Sequence, residues 1–162
     1  MTRRFTILCL VMLCPILLTD CASAKLANQL RLHNENLTKA AFGDINPEKK
    51  LDILVISMVG MMYEALKPLN PKKGVAYVTD YGKENGEAIE KILKDFGEWQ
   101  KELSVGERIA LGIRIAKKPY MKELIELGPR FKKKYKQVKF LMKLTGKLNK
   151  GLFDLGVKQL EL

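Results

Sequence analysis

Asn46-Pro47-Glu48-Lys49-Lys50-Leu51-Asp52-Ile53-Leu54-Val55-Ile56-Ser57-Met58-Val59-Gly60-Met61-Met62 is the stretch on which the fold turns. It opens with a capping residue, a proline at the first helical position and an acid in the first turn. That arrangement satisfies and complements the free N–H groups of a helix start. Past the first turn the segment is apolar on nearly every side. From Ile53 to Met62 only Ser57 and Gly60 interrupt the run. A helix over 47–67 without a polar face belongs in the middle of a bundle. Its apolar run is too short to span a bilayer, which takes about 20 such residues.

The same punctuation recurs outward from this segment. Asn70-Pro71 repeats the cap and proline, and Ser104-Val105-Gly106-Glu107 has the spacing of a capping box. Pro119 and Pro129 are each predicted to open a helix, with Gly128 closing the one before. No stretch shows the alternation or the turn chemistry of a sheet. The predicted fold is all-α, a single-domain bundle of about six helices. The first, over 26–42, is polar. In the segment 71–103, Val75, Val78, Gly82, Asn85, Ile89, Ile92, Phe96, Trp99 and Leu103 share one face. Gly82, Asn85 and Gly86 predict a kink or break at its middle. The short helix over 104–118 is predicted to bury Val105, Ile109, Gly112 (or Ile113) and Ala116. Tyr120, Met121, Leu124, Ile125 and Leu127 mark another helix, and a long basic one is predicted from Pro129 to about Lys150. The tail after Gly151 keeps enough apolar residues to pack back. Similarity among the three helix openings is of the kind that any capped helix shows.

The chain starts with a segment of a different kind. Arg3 and Arg4 precede an apolar run of 14 residues, Phe5 to Leu18, and Ala22-Ser23-Ala24 comes after it. Basic head, apolar centre and small-x-small exit make residues 1–24 a predicted secretory signal peptide. Cleavage after Ala24 leaves 25–162 as one secreted α-helical domain of 138 residues. Cys9, Cys14 and Cys21 all depart with the leader, so the mature domain holds itself by packing alone. Leu18-Thr19-Asp20-Cys21 is the competing reading, a lipoprotein box that would anchor the domain through lipid on Cys21. Asp20 stands where such boxes want a small uncharged residue. Asn36-Leu37-Thr38 is an N-glycosylation triplet with Asn36 as the acceptor.

Signals for an enzyme are nearly absent. The mature chain carries one histidine, His33, and no cysteine. That leaves no ligand cluster for a metal and no redox couple. Neither a nucleophile elbow nor a phosphate loop occurs, and Gly82 and Gly86 lack the strand–loop–helix setting of a phosphate cradle. The expectation is a non-enzymatic protein without cofactor or metal.

Charge is the stronger clue. The chain carries +11, and +10 remains once Arg3, Arg4 and Asp20 are gone. Between Gly128 and Gly151 there are nine Lys or Arg and no acid. On one continuous helix over 130–150, Lys132, Lys136, Lys139, Lys143, Lys147 and Lys150 would fall within a stripe about 80° wide. Such an amphipathic basic helix suits an anionic membrane or polymer surface. It equally suits the wet face of a core helix. Nucleic acid is not expected, because export separates the protein from it and aromatic interleaving is thin.

Methionine is the second clue. Met58, Met61 and Met62 cluster in the central helix, and thioether side chains adapt to varied apolar surfaces. Glycines at 60, 82, 86 and 112 either leave room for a ligand or let helices approach closely. If they leave room, Met58, Met62, Ile89, Ile92, Phe96 and Ile109 line the space.

Ile45-Asn46-Pro47-Glu48-Lys49-Lys50 and Leu69-Asn70-Pro71-Lys72-Lys73, with Leu103-Ser104-Val105-Gly106-Glu107-Arg108 as a looser echo, are similar to helix openings of one family. Over about residues 44–128 the chain resembles the nematode fatty-acid and retinol-binding proteins. These are small secreted helical proteins that hold lipid between amphipathic helices. The proline after the capping residue is missing at Ser104, and no ligand residue is carried over. The resemblance implies a secreted carrier of fatty acid or a similar apolar molecule, with the lysines steering it to anionic membrane or meeting a ligand carboxylate. The alternative from the residues alone is a secreted interaction or membrane-surface protein with a solid core, acting through the 130–150 helix. The oligomeric state is not legible in the sequence.

Overall fold

A computed structural model of the chain describes residues 35–156, apart from the side chains of Met142 and Phe153. These residues belong to one compact unit, Asn34–Leu162. The predicted signal peptide with its three cysteines, His33, the start of the first predicted helix and the last residues of the tail lie outside the described part. Six helices and no strand occur among the described residues. α1 is helical over 35–42, α2 is Pro47–Leu66, α3 is Pro71–Glu102, α4 is Val105–Ala116, α5 is Pro119–Tyr135 and α6 is Lys139–Asp154. The all-α bundle is what the sequence predicts.

The helix starts obey the capping chemistry. Asn46 Oδ1 accepts the Glu48 N–H at 2.8 Å, and Asn70 Oδ1 accepts that of Lys72 at 3.0 Å. At α4 the capping box is complete: Ser104 Oγ accepts the Glu107 N–H, and the Glu107 carboxylate accepts the Ser104 N–H at 2.8 Å.

α2 packs against α3 and α5, and α3 packs against α6. Contacts at Lys50–Asp95 and Ser57–Tyr81 make α2 and α3 antiparallel. Contacts at Asp52–Tyr120 and Ala65–Tyr135 make α2 and α5 parallel. The core is accordingly centred on α2, where Leu51, Leu54, Met58, Met61, Met62 and Ala65 are buried. α2 still keeps one outward strip, with Ile56 55% and Tyr63 45% exposed.

α3 runs unbroken from Pro71 to Glu102, contrary to the kink or break expected at Gly82–Gly86. Tyr77, Val78 and Tyr81 before that point are buried with Ala88, Ile89 and Ile92 after it. Burial on both sides outweighs a glycine cost of about 1 kcal/mol per residue. Tyr81 also shares a buried hydrogen bond of 2.7 Å with Ser57. Val75, assigned to the inner face from spacing, is 39% exposed.

Pro129 does not open a helix. It sits inside α5. The carbonyl that a proline leaves without a donor is that of the residue four before, and Ile125 is 57% exposed, so water can serve it. The continuous helix predicted over 130–150 is likewise corrected. α5 ends at Tyr135 and α6 begins at Lys139. Tyr135 is anchored to α2 through its hydroxyl on the Ala65 carbonyl, while Phe140 lies against Gly82 of α3. One straight helix cannot satisfy both anchors, so the chain turns at 136–138.

Two polar clusters gather around the first turns of α2. Lys50, only 7% exposed, donates to the Ala41 carbonyl and to Asp95 at 2.9 Å. At the start of α2, Glu48 pairs with Arg114 at 2.9 Å and Lys118 at 3.1 Å, and Asp52 accepts from Lys118 and Tyr120. The Lys50 hydrogen bond outweighs burial and holds Asp95 below its ordinary 3.8, with Lys91 adding. Partial burial pushes Glu48 upward, but Arg114 and Lys118 prevail and hold it below 4.5. A carboxylate depressed in the folded state contributes stability that is present above its unfolded pKa and lost as pH falls through its folded pKa. The urea midpoint should therefore hold down to about pH 5 and drop below about pH 4. Asp95→Asn should start lower and show a shallower drop.

Candidate functional site

α5 and α6 diverge from their turn over the end of α2 and leave a cleft of about 420 Å³ between them. Met62 of α2 contributes to its lining. Phe131 and Tyr135 of α5 and Leu141 of α6 are apolar wall, with Thr145, Gly146 and Asn149 further along α6. The Phe131 and Tyr135 rings stack at 4.9 Å between centroids, tilted by 54°. Tyr135 spends its hydroxyl on Ala65, so the ring presents carbon to the cleft. Lys132 and Lys136 complete the wall; both are exposed, and neither pairs with an acid among the described residues. The volume lies within the roughly 300–1,000 Å³ of small-molecule sites.

The residues predicted to line a pocket are separated by the fold. Met62 lines this cleft. Ile89 lines a shallow depression of about 130 Å³ on the flank shared by α3 and α6, with Gly86, Leu93, Phe140 and Leu144. Met58, Ile92 and Phe96 are buried core, at 0%, 0% and 3% exposure. Ile109 is 56% exposed and lines neither space. Two of the glycines, Gly82 and Gly112, let neighbouring segments close in rather than leaving room for a ligand. At Gly82 an added Cβ would stand 2.6 Å from the Phe140 ring, and at Gly112 it would strike the Leu155 carbonyl. α4 turns Leu111, Gly112 and Ile115 inward, leaving Val105, Ile109, Ile113 and Ala116 outside.

The six lysines of the predicted stripe are all exposed but stand on two helices and the turn between them. Lys147 reaches Glu90 of α3 at 2.6 Å and Lys143 lies 4.0 Å from the same carboxylate. Lys132, Lys136, Lys139 and Lys150 pair with no described acid. Lys134, outside the stripe, donates to the Leu66 and Pro68 carbonyls and so caps the end of α2. Asn36 is exposed on α1.

Sequence reasoning does not single out Phe131, Tyr135, Leu141 and Thr145 as site residues. Spacing puts Phe131, Tyr135 and Leu141 on the side opposite the lysines, and only the turn at 136–138 converts two such faces into a cleft. Among the described residues no three His, Cys, Asp or Glu side chains come together to hold a metal, and no helix is long and apolar enough to cross a membrane. No family model, curated protein or solved structure matches the chain.

Proposed function

We propose that this is a secreted, non-enzymatic carrier that holds a fatty acid or a similar small apolar anion in the α2–α5–α6 cleft. The observation that carries the reading is an apolar cleft of about 420 Å³ with two unpaired lysines in its wall. An acyl chain would lie on Met62, Phe131, Tyr135 and Leu141. Its carboxylate would meet Lys132 or Lys136, where a charge-assisted contact replaces water at little desolvation cost. A methionine at the base suits a ligand of variable shape.

This cleft lies at the α5–α6 turn rather than beside Met58, and of the residues predicted for a pocket it keeps Met62. The alternative of a protein acting through a single basic helix has less support, since α5 and α6 share the lysines and two of them face Glu90. Titration of the purified domain with a fluorescent fatty acid tests the proposal. Saturable signal at micromolar protein, displaced by unlabelled oleate, is the expected result. Absence of displaceable binding sinks it.

A further inference from the structure

α4 presents an apolar face to solvent that nothing in the carrier reading uses. Val105, Ile109 and Ile113 are 65%, 56% and 51% exposed. At 100° per residue they span about 80° of the helix surface, with exposed Ala116 between them. Single exposed apolar residues are ordinary, but three at successive i, i+4 positions form a continuous strip.

The surroundings of the strip are basic. Lys117 flanks it on one side, with Arg114 beyond already paired to Glu48, while Arg108 borders the other side about 60° away. Glu107, the acid within α4, is engaged by Ser104 in the cap. Arg108 also helps to line an open cleft of about 650 Å³ between α3, the start of α4 and the end of α6. Five cations line it, Lys94, Lys101, Arg108, Lys147 and Lys150, against Glu90, Glu98 and Asp154. Lys147 is occupied by Glu90 and Lys94 lies 3.9 Å from Glu98. Lys101, Arg108 and Lys150 pair with no acid among the described residues.

From this we infer that α4 docks the protein on an anionic phospholipid membrane. The strip of Val105, Ile109 and Ile113 enters the interface, and a lipid phosphate occupies the cleft at Lys101, Arg108 and Lys150. A helix with a narrow apolar strip and basic flanks is suited to lie in the plane of the interface. Its occupant is an anionic bilayer because an apolar partner alone would leave the unpaired cations desolvated, whereas anionic headgroups neutralise them. The inference stands apart from the ligand in the α2–α5–α6 cleft.

Cosedimentation of the mature chain, without fatty acid, tests it on two kinds of vesicle. One is phosphatidylcholine alone, the other equal parts phosphatidylcholine and phosphatidylserine. Binding should be at least about tenfold stronger to the mixed vesicles and should weaken with salt. Ile109→Ser with Ile113→Ser changes no charge and should lower that binding about tenfold while circular dichroism is unchanged. Arg108→Gln with Lys150→Gln should lower it more than Lys83→Gln with Lys122→Gln, an equal change of charge elsewhere. Equal binding to both vesicles, or to neither, overturns the inference. So does a serine variant that binds like the parent, or a glutamine pair no weaker than its control. A lipid-free dimer that the serine variant dissolves also overturns it, assigning the strip to a second copy of the chain.

Discussion

Thr145→Trp should lower the affinity for a long-chain fatty acid by at least about tenfold, a loss of about 1.4 kcal/mol or more. Thr145 is half-buried in the wall of the α2–α5–α6 cleft, one turn from Leu141. Its hydroxyl donates back to the Leu141 carbonyl at 2.8 Å, a bond within its own helix that α6 can lose. An indole there occupies volume that the acyl chain needs. Ile109→Trp is the matched control. Sequence spacing assigns Ile109 to a pocket, but on α4 it faces solvent, so its titration should match the parent. A Thr145→Trp protein that binds normally would place the ligand elsewhere.

Gly74→Val should cost about 3 kcal/mol or more of folding stability, read as a lower urea midpoint. Gly74 is buried where α2, α3 and α5 meet. A Cβ there would lie 2.7 Å from the Ala65 carbonyl oxygen and would collide with the Tyr135 hydroxyl. Neither neighbour is free to yield, because the hydroxyl donates to that carbonyl. Overpacking costs about 1–3 kcal/mol and breaking a buried hydrogen bond a similar amount. Against a total of about 5–15 kcal/mol the combined loss is a large share. Gly86→Ala gives the contrast. Nothing lies within 4 Å of a Cβ at Gly86, so alanine there should raise stability by about 1 kcal/mol through helix propensity.

That contrast marks how far the sequence could be read. Helix starts were legible because they are local: Asn46, Asn70 and the Ser104–Glu107 box act within one turn. The central place of α2 was legible too, since a helix apolar on most sides has few other homes. Gly82 and Gly86 look alike in sequence, yet one lies against Phe140 and the other faces space. Only tertiary contact tells them apart. Lys50 reads as a surface residue and is buried because Ala41 and Asp95 converge on it. The turn at 136–138 has no glycine or proline to announce it. It arises from two distant anchors, Ala65 and Gly82, and it creates the cleft. Of the six residues predicted for the pocket, Met62 is the one in that cleft, because a cleft made by a turn between helices does not show in the period of any single helix.

Methyl NMR of residues 25–162 labelled at methionine shows whether the α2–α5–α6 cleft takes the ligand. Met58, Met61 and Met62 are all buried, and of the three Met62 is the one that borders the cleft. Stepwise addition of oleate should shift the Met62 methyl most, saturably, and Thr145→Trp should abolish the shift. If no methionine methyl moves, or if Met58 moves while Met62 does not, the α2–α5–α6 cleft is not the binding site.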